Sequence, residues 1–155
     1  MNTMDQREWN VYLAGEIHSG WRERVVEACD GLPVRFTAPV TDHPASDAAG
    51  TGTLGDEQEK FWADHKGAGV NSIRTQTLIG DADLVVVRFG DRYRQWNAAF
   101  DAGYAAALGK PVITQHDPEF DHALKEVDGA ARATARSPEQ VAAVLRYVIT
   151  GELPG

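Results

Sequence analysis

Short apolar runs alternate along this chain with segments whose apolar positions recur at helical spacing. Residues 10–15, NVYLAG, are apolar and end on glycine, which predicts a buried first strand. After the loop GEIHSGWRE, residues 21–29 predict a helix with Val25, Val26 and Cys29 facing inward. Residues 32–37 predict a second strand, and residues 70–80 a helix with Ile73, Leu78 and Ile79 buried. ADLVVVRF, residues 82–89, is continuously apolar, as a central parallel strand covered on both faces must be. Residues 96–109 predict an alanine-rich helix stopped by Gly109 and Pro111, with Val112 and Ile113 opening the next strand. A loop and short helix follow over residues 116–127, then an edge strand in ARATA, residues 131–135. Ser137 as N-cap, Pro138 at the first helical position and Gly151 as the stop delimit the last helix. The alternation predicts one α/β domain over residues 1–155: a mostly parallel five-stranded sheet with helices on both faces.

Residues 38–69 interrupt this rhythm. So long a connection within one domain is usually functional or disordered. Here it is expected to carry its own short helix, about residues 56–66, with Phe61 and Trp62 as bulky residues. It leaves the carboxyl end of a strand, where open α/β sheets bind ligands. The two rings are therefore read either as a lid over a planar ligand or as anchors that pin the insertion to the core.

Composition narrows the partners. A formal net charge of −8 argues against a nucleic-acid polymer as partner, and none is expected. No apolar run approaches membrane-spanning length, and MNTMDQREW lacks the apolar core of a secretion signal. The single cysteine, Cys29, cannot form an intrachain disulfide and suits a reducing compartment, so a cytoplasmic location is expected. None of the five histidines forms a two-histidine ligand pair on one helix face, so no metal and no cofactor are expected.

The remaining chemistry gathers after the strands. Asn97, Asp101, Tyr104 and Leu108 share one face of the alanine-rich helix. Asp101 lies in its early turns, where the helix dipole favours an ionised carboxylate. Dipole matching alone would also explain it. Tyr12 lies in the first strand, and Gly15, Glu16, His18, Ser19 and Gly20 form the loop after it. Such a strand–glycine loop–helix junction can hold an anion, or be a plain turn. Asp83 opens the central strand, and Arg88, Asp91, Arg92 and Arg94 follow it. A carboxylate beside a tyrosine hydroxyl and a second acid suits glycosidic-bond chemistry. The arginines suit a phosphate, or simply balance neighbouring carboxylates.

VYLAGEIHSGWRE, DADLVVVRFGD and WNAAFDAGYAAALGKPV resemble the nucleoside 2-deoxyribosyltransferase superfamily, most closely its YtoQ-type branch. The resemblance to that branch covers nearly the whole chain, including APVTDH and FWADHKGAG. It implies a three-layer, doubly wound, flavodoxin- or Rossmann-like fold and a retaining displacement at the sugar of a nucleoside or nucleotide. It further implies Asp101 as nucleophile, Tyr12 orienting it, and Asp83 contacting the ligand. A phosphate cradle is implied at Gly15 to Arg22. Arg88, Asp91, Asn97 and Trp62 complete the expected substrate contacts. Related enzymes are homo-oligomers, and Trp96, Phe100 and Tyr104 could serve an interface, or be buried within one subunit. Two positions depart from the superfamily pattern. Asp101 is one methylene shorter than the usual glutamate, and Gln95 stands where a further acid is common. These departures leave a nucleotide-binding module without turnover as the alternative reading.

Overall fold

The computed structural model describes residues 7–92 and 95–154. Five strands, β1 (Trp9–Gly15), β2 (Val34–Thr37), β3 (Leu84–Arg88), β4 (Val112–Gln115) and β5 (Ala133–Ala135), form one sheet in the order β2-β1-β3-β4-β5. Every pairing is parallel, with Gly15 opposite Arg88 and Arg88 opposite Gln115. Parallel neighbours require crossovers, and the intervening helices supply them. Alternate strand residues point to opposite faces, which divides the core in two. Val11, Leu13, Leu84, Val86 and Ile113 pack with α1 (Trp21–Ala28) and α7 (Pro138–Thr150). Tyr12, Ala14, Val85, Val87 and Val112 pack with α4 (Lys60–Asp81) and α5 (Trp96–Ala107), with α6 (Lys125–Ala130) contributing Val127. The result is the expected three-layer α/β sandwich. Ser137 caps α7 by accepting from Gln140 N–H, and Gly151 ends it at φ +77°.

Two helices differ from the sequence reading. In α1, Trp21, Val25 and Cys29 form the inward stripe at spacings of four, while Val26 is 45% exposed. The helices expected at 56–66 and 70–80 are one continuous α4. Gly67 and Gly69 lie within it, although glycine weakens a helix interior. The insertion explains Gly67. It spans residues 38–59 and holds α2 (His43–Asp47) and α3 (Ala49–Leu54). There Gly50 sits so close to α4 that a Cβ on it would lie 2.2 Å from the Gly67 nitrogen, and a Cβ on Gly67 would lie 3.2 Å from the Asp47 carbonyl oxygen. The helix tolerates glycine because the insertion docks there. Leu78 is half-buried and Ile79 fully buried, but Ile73 is 71% exposed. It precedes Ile79 by six positions, about 120° round the helix.

Candidate active site

The chain leaves β1 toward β2 on one side and returns to β3 on the other. In an open parallel sheet, such a reversal parts the loops at the strands' carboxyl ends and opens a crevice. An open cavity of about 930 Å³ lies there. Its walls include Tyr12 from β1, Glu16 and His18 from the loop after β1, and Asn97 and Asp101 from α5. Gly15 makes this junction possible. Its φ is +105°, and a Cβ would fall 2.1 Å from the Arg88 carbonyl oxygen. That carbonyl accepts a hydrogen bond from Glu16 N–H at 3.0 Å.

Asp101 is in the second turn of α5, not the first. The dipole's influence fades within the first turn. Burial dominates instead and raises the Asp101 carboxyl from 3.8 to about 7, the reverse of the expected stabilisation of its ionised form. Tyr12 is fully buried, and its hydroxyl has no hydrogen-bond partner among the described residues. Thr75 of α4 lies close enough to lower the phenol, but short of a completed hydrogen bond. Burial, and then the charge on Asp101, outweigh it and push Tyr12 up to about 12. The phenol therefore stays protonated and can donate to a neighbouring carboxylate. Gln95, just before α5, also lines the cavity, with its amide Nε2 buried and without a partner among the described residues.

The loop after β1 is organised from within. Arg22, buried in α1, spends its guanidinium on backbone carbonyls: Nε donates to Leu13 at 3.0 Å, and other nitrogens donate to Gly15 and Glu16. Burial lowers it to about 10. The Trp21 indole N–H donates to the same Glu16 carbonyl at 2.7 Å. The Glu16 carboxylate accepts from the Ser19 hydroxyl at 2.5 Å, from Arg88 at 2.7 Å and from His18 N–H. Ser19 and Arg88 thus stand behind Glu16 and are not part of the cavity wall, and neither is Gly20.

Other expected residues lie elsewhere. Asp83 precedes β3, and in a parallel sheet that places it at the amino edge, roughly 16 Å from the cavity edge for a five-residue strand. Its carboxylate accepts from Asn10 N–H at 2.8 Å and pairs with Arg7 at 3.1 Å. This corrects the ligand contact expected of Asp83. Asp91 is exposed and outside the cavity wall, and Arg94 lies outside the described residues. Trp62 and Phe61 do not line the cavity of this chain either. Lys60 and Asp64 do, so Phe61 and Trp62 are turned about 100° and 160° round the helix from Lys60. They form an exposed cluster with His65, in which the Phe61 and Trp62 centroids are 5.0 Å apart, and neither ring joins the core. The insertion meets the cavity through α2 instead: His43 lines it, 5.6 Å from the His18 ring.

The sequence reading missed the wall that α4 provides. Lys60, Asp64, Ala68, Asn71 and Thr75 all line the cavity at spacings of three or four. That stripe is visible in the sequence only once residues 60–81 are read as one helix. Away from the cavity, ligand atoms of His116, Asp121 and Asp128 lie within 4.8 Å of one another, a grouping the sequence reading did not single out. All three are engaged: His116 with Asp128 at 2.7 Å, Asp121 with Arg136 at 2.6 Å, and Asp128 also with the Thr114 hydroxyl at 2.8 Å. Among the described residues, no helix is long and apolar enough to cross a membrane.

Comparison with known proteins agrees with this architecture. A protein of Bacillus subtilis (strain 168), "Uncharacterized protein YtoQ", is 40% identical over 147 residues, covering 94% of this chain and 99% of the relative. A solved structure from a study of a 2-deoxyribosyltransferase of Bacillus psychrosaccharolyticus superposes with a TM-score of 0.56 at 15% identity, over 86% of this chain and 90% of that one. A conserved protein from Enterococcus faecalis V583 also gives a TM-score of 0.56, at 17% identity, over 86% and 94% of the two chains. At those identities the structures share the fold. The family profile described as "Nucleoside 2-deoxyribosyltransferase YtoQ" matches residues 12–149, from the tyrosine in β1 to the end of α7, and the chain belongs to that family.

Proposed function

We propose that the cavity cleaves or exchanges the N-glycosidic bond of a nucleoside, with Asp101 as nucleophile. One observation carries this reading: a half-buried carboxylate and a buried tyrosine hydroxyl with no partner among the described residues share one cavity at the switch point of the sheet. The ionised Asp101 attacks the anomeric carbon while the carbon–nitrogen bond breaks, and the base leaves with the bonding pair and takes a proton from water. Once a substrate is bound, Tyr12 donates to the carboxylate and fixes its angle of attack. A second base or a water then attacks the glycosyl–Asp101 ester from the opposite face, which restores the carboxylate and gives net retention. Gln95 cannot supply a proton, but its unpartnered N–H is suited to hold the base. Asn97, on the exposed side of α5, is suited to a sugar or base hydroxyl. The shorter reach of Asp101 supports the second reading, a binding module without turnover.

A panel of nucleosides and 2′-deoxynucleosides, each incubated with the protein, separates the two readings. Release of free base from at least one, abolished in Asp101→Asn, supports the enzyme. Binding without release from any supports the module. We further propose a homo-oligomer. Trp96 and Phe100 line the cavity yet are 73% and 62% exposed, so a second copy could complete its mouth. Light scattering that returns 16.9 kDa at high micromolar concentration removes this proposal.

A further inference from the structure

We propose that Glu16 is a built-in anion that selects uncharged nucleosides and rejects their phosphate esters; this rests on the cavity being a nucleoside site. Its carboxylate is 4% exposed on a side chain that lines the cavity. Three donors of different kinds converge on it: the His18 backbone N–H, the Ser19 hydroxyl and the Arg88 guanidinium. A backbone amide, a hydroxyl and an arginine at the mouth of a helix are the donors with which proteins hold a phosphate. Here they are already occupied by the chain's own charge. Gly90 makes room for the pair: a Cβ there would meet the Glu16 Cγ at 2.6 Å and the Arg88 guanidinium at 2.9 Å. The pair fills its box, and Gly90 provides the last of the room. The neighbouring guanidinium of Arg22 is committed to three backbone carbonyls. A phosphate entering this end of the cavity would find these three donors already engaged by a carboxylate of like charge. A hydroxyl would find an acceptor. The cations Lys60 and Arg74 reach the cavity from α4 rather than from this loop.

Isothermal titration of a nucleoside and its 5′-monophosphate against wild type, Glu16→Gln and Glu16→Ser tests this. Wild type is expected to bind the nucleoside at least about tenfold more tightly, the scale of one like-charge contact near a protein surface. Glu16→Gln keeps the shape and loses the charge, and Glu16→Ser also frees the donors, so the preference is expected to shrink in that order. Equal binding of both ligands by wild type overturns the proposal, as does an unchanged preference in both folded variants. If no nucleoside binds, the reading of the cavity fails, and inorganic phosphate still decides the role of Glu16. Millimolar phosphate is then expected to raise the melting temperature of Glu16→Ser and not that of wild type. A wild-type response equal to the variant's, or no response from either, overturns the proposal.

Discussion

The two edges of the sheet treat an aspartate in opposite ways. At the amino edge, Asp83 has its carboxylate satisfied by Asn10 N–H and Arg7, and these bonds tie the start of β3 to β1. At the carboxyl edge, Asp101 is half-buried, and the partial loss of water raises it to about 7. Beside it the Tyr12 hydroxyl and the Gln95 Nε2 are buried without partners among the described residues. A satisfied polar group stabilises the native state, and an unsatisfied one costs it free energy. Two such groups lining one cavity mark a place where a ligand would complete the bonding. The difference between the edges therefore separates a structural carboxylate from a candidate reactive one, though both lie beside the central strand or the helix after it.

Substitutions that interchange the two roles are the way to break this contrast. The largest effect is expected from Asp101→Asn, which leaves the shape and removes the nucleophile. Base release, followed by chromatography, is expected to fall at least roughly a thousandfold, as for other covalent catalysts stripped of the attacking group. Residual release near wild-type rates would move the reactive role elsewhere.

Tyr12→Phe comes next. Base release is expected to drop about tenfold to a hundredfold through turnover, with the Michaelis constant nearly unchanged, because the hydroxyl steers a group and does not hold the ligand. Folding stability is expected to hold or rise, since the hydroxyl has no partner to lose. A clear loss of stability would show that the hydroxyl is bonded in the native state.

The pH dependence follows from the same burial. Attack requires the ionised carboxylate, so base release is expected to climb as pH rises through about 7. Stability moves the other way. The folded carboxyl holds its proton up to about 7, while the unfolded one loses it near 3.8. Between those values the native state binds more protons, so the contribution of Asp101 is full below the unfolded value and is lost as pH rises through about 7. The local slope approaches about 1.4 kcal/mol per pH unit at its steepest. Urea unfolding at pH 5 and pH 8 is expected to show a smaller difference for Asp101→Asn than for wild type. Equal differences would place the carboxylate in water.

The smallest effect, and the sharpest control, is Asp83→Ala. It is expected to cost about 1–2 kcal/mol by leaving the Asn10 N–H unpaired, while nucleoside affinity stays within twofold of wild type. A fall in affinity without a fall in stability would return Asp83 to the site.

The linear sequence by itself determined the alternation of strands and helices, because burial on both faces forces a continuous apolar run such as Leu84 to Val87, and caps such as Ser137 and Gly151 act through neighbouring backbone groups. It also placed Tyr12 and Asp101 as candidates, since both follow from their positions within regular elements. What depends on distant contacts was settled only by the fold. The glycines of α4 read as a break until α3 is seen packed against Gly67, and with the helix divided the polar stripe from Lys60 to Thr75 could not be read as one wall. Glu16, Ser19 and Arg88 looked like a cradle for a ligand, yet Arg88 lies 72 positions along the chain from the carboxylate it bonds. Asp101 reads as a dipole-matched anion on an isolated helix, and only the layers packed round α5 remove the water that would keep it one. Local propensities act over a few residues, whereas desolvation and charge pairing depend on everything the folded chain brings within several ångströms.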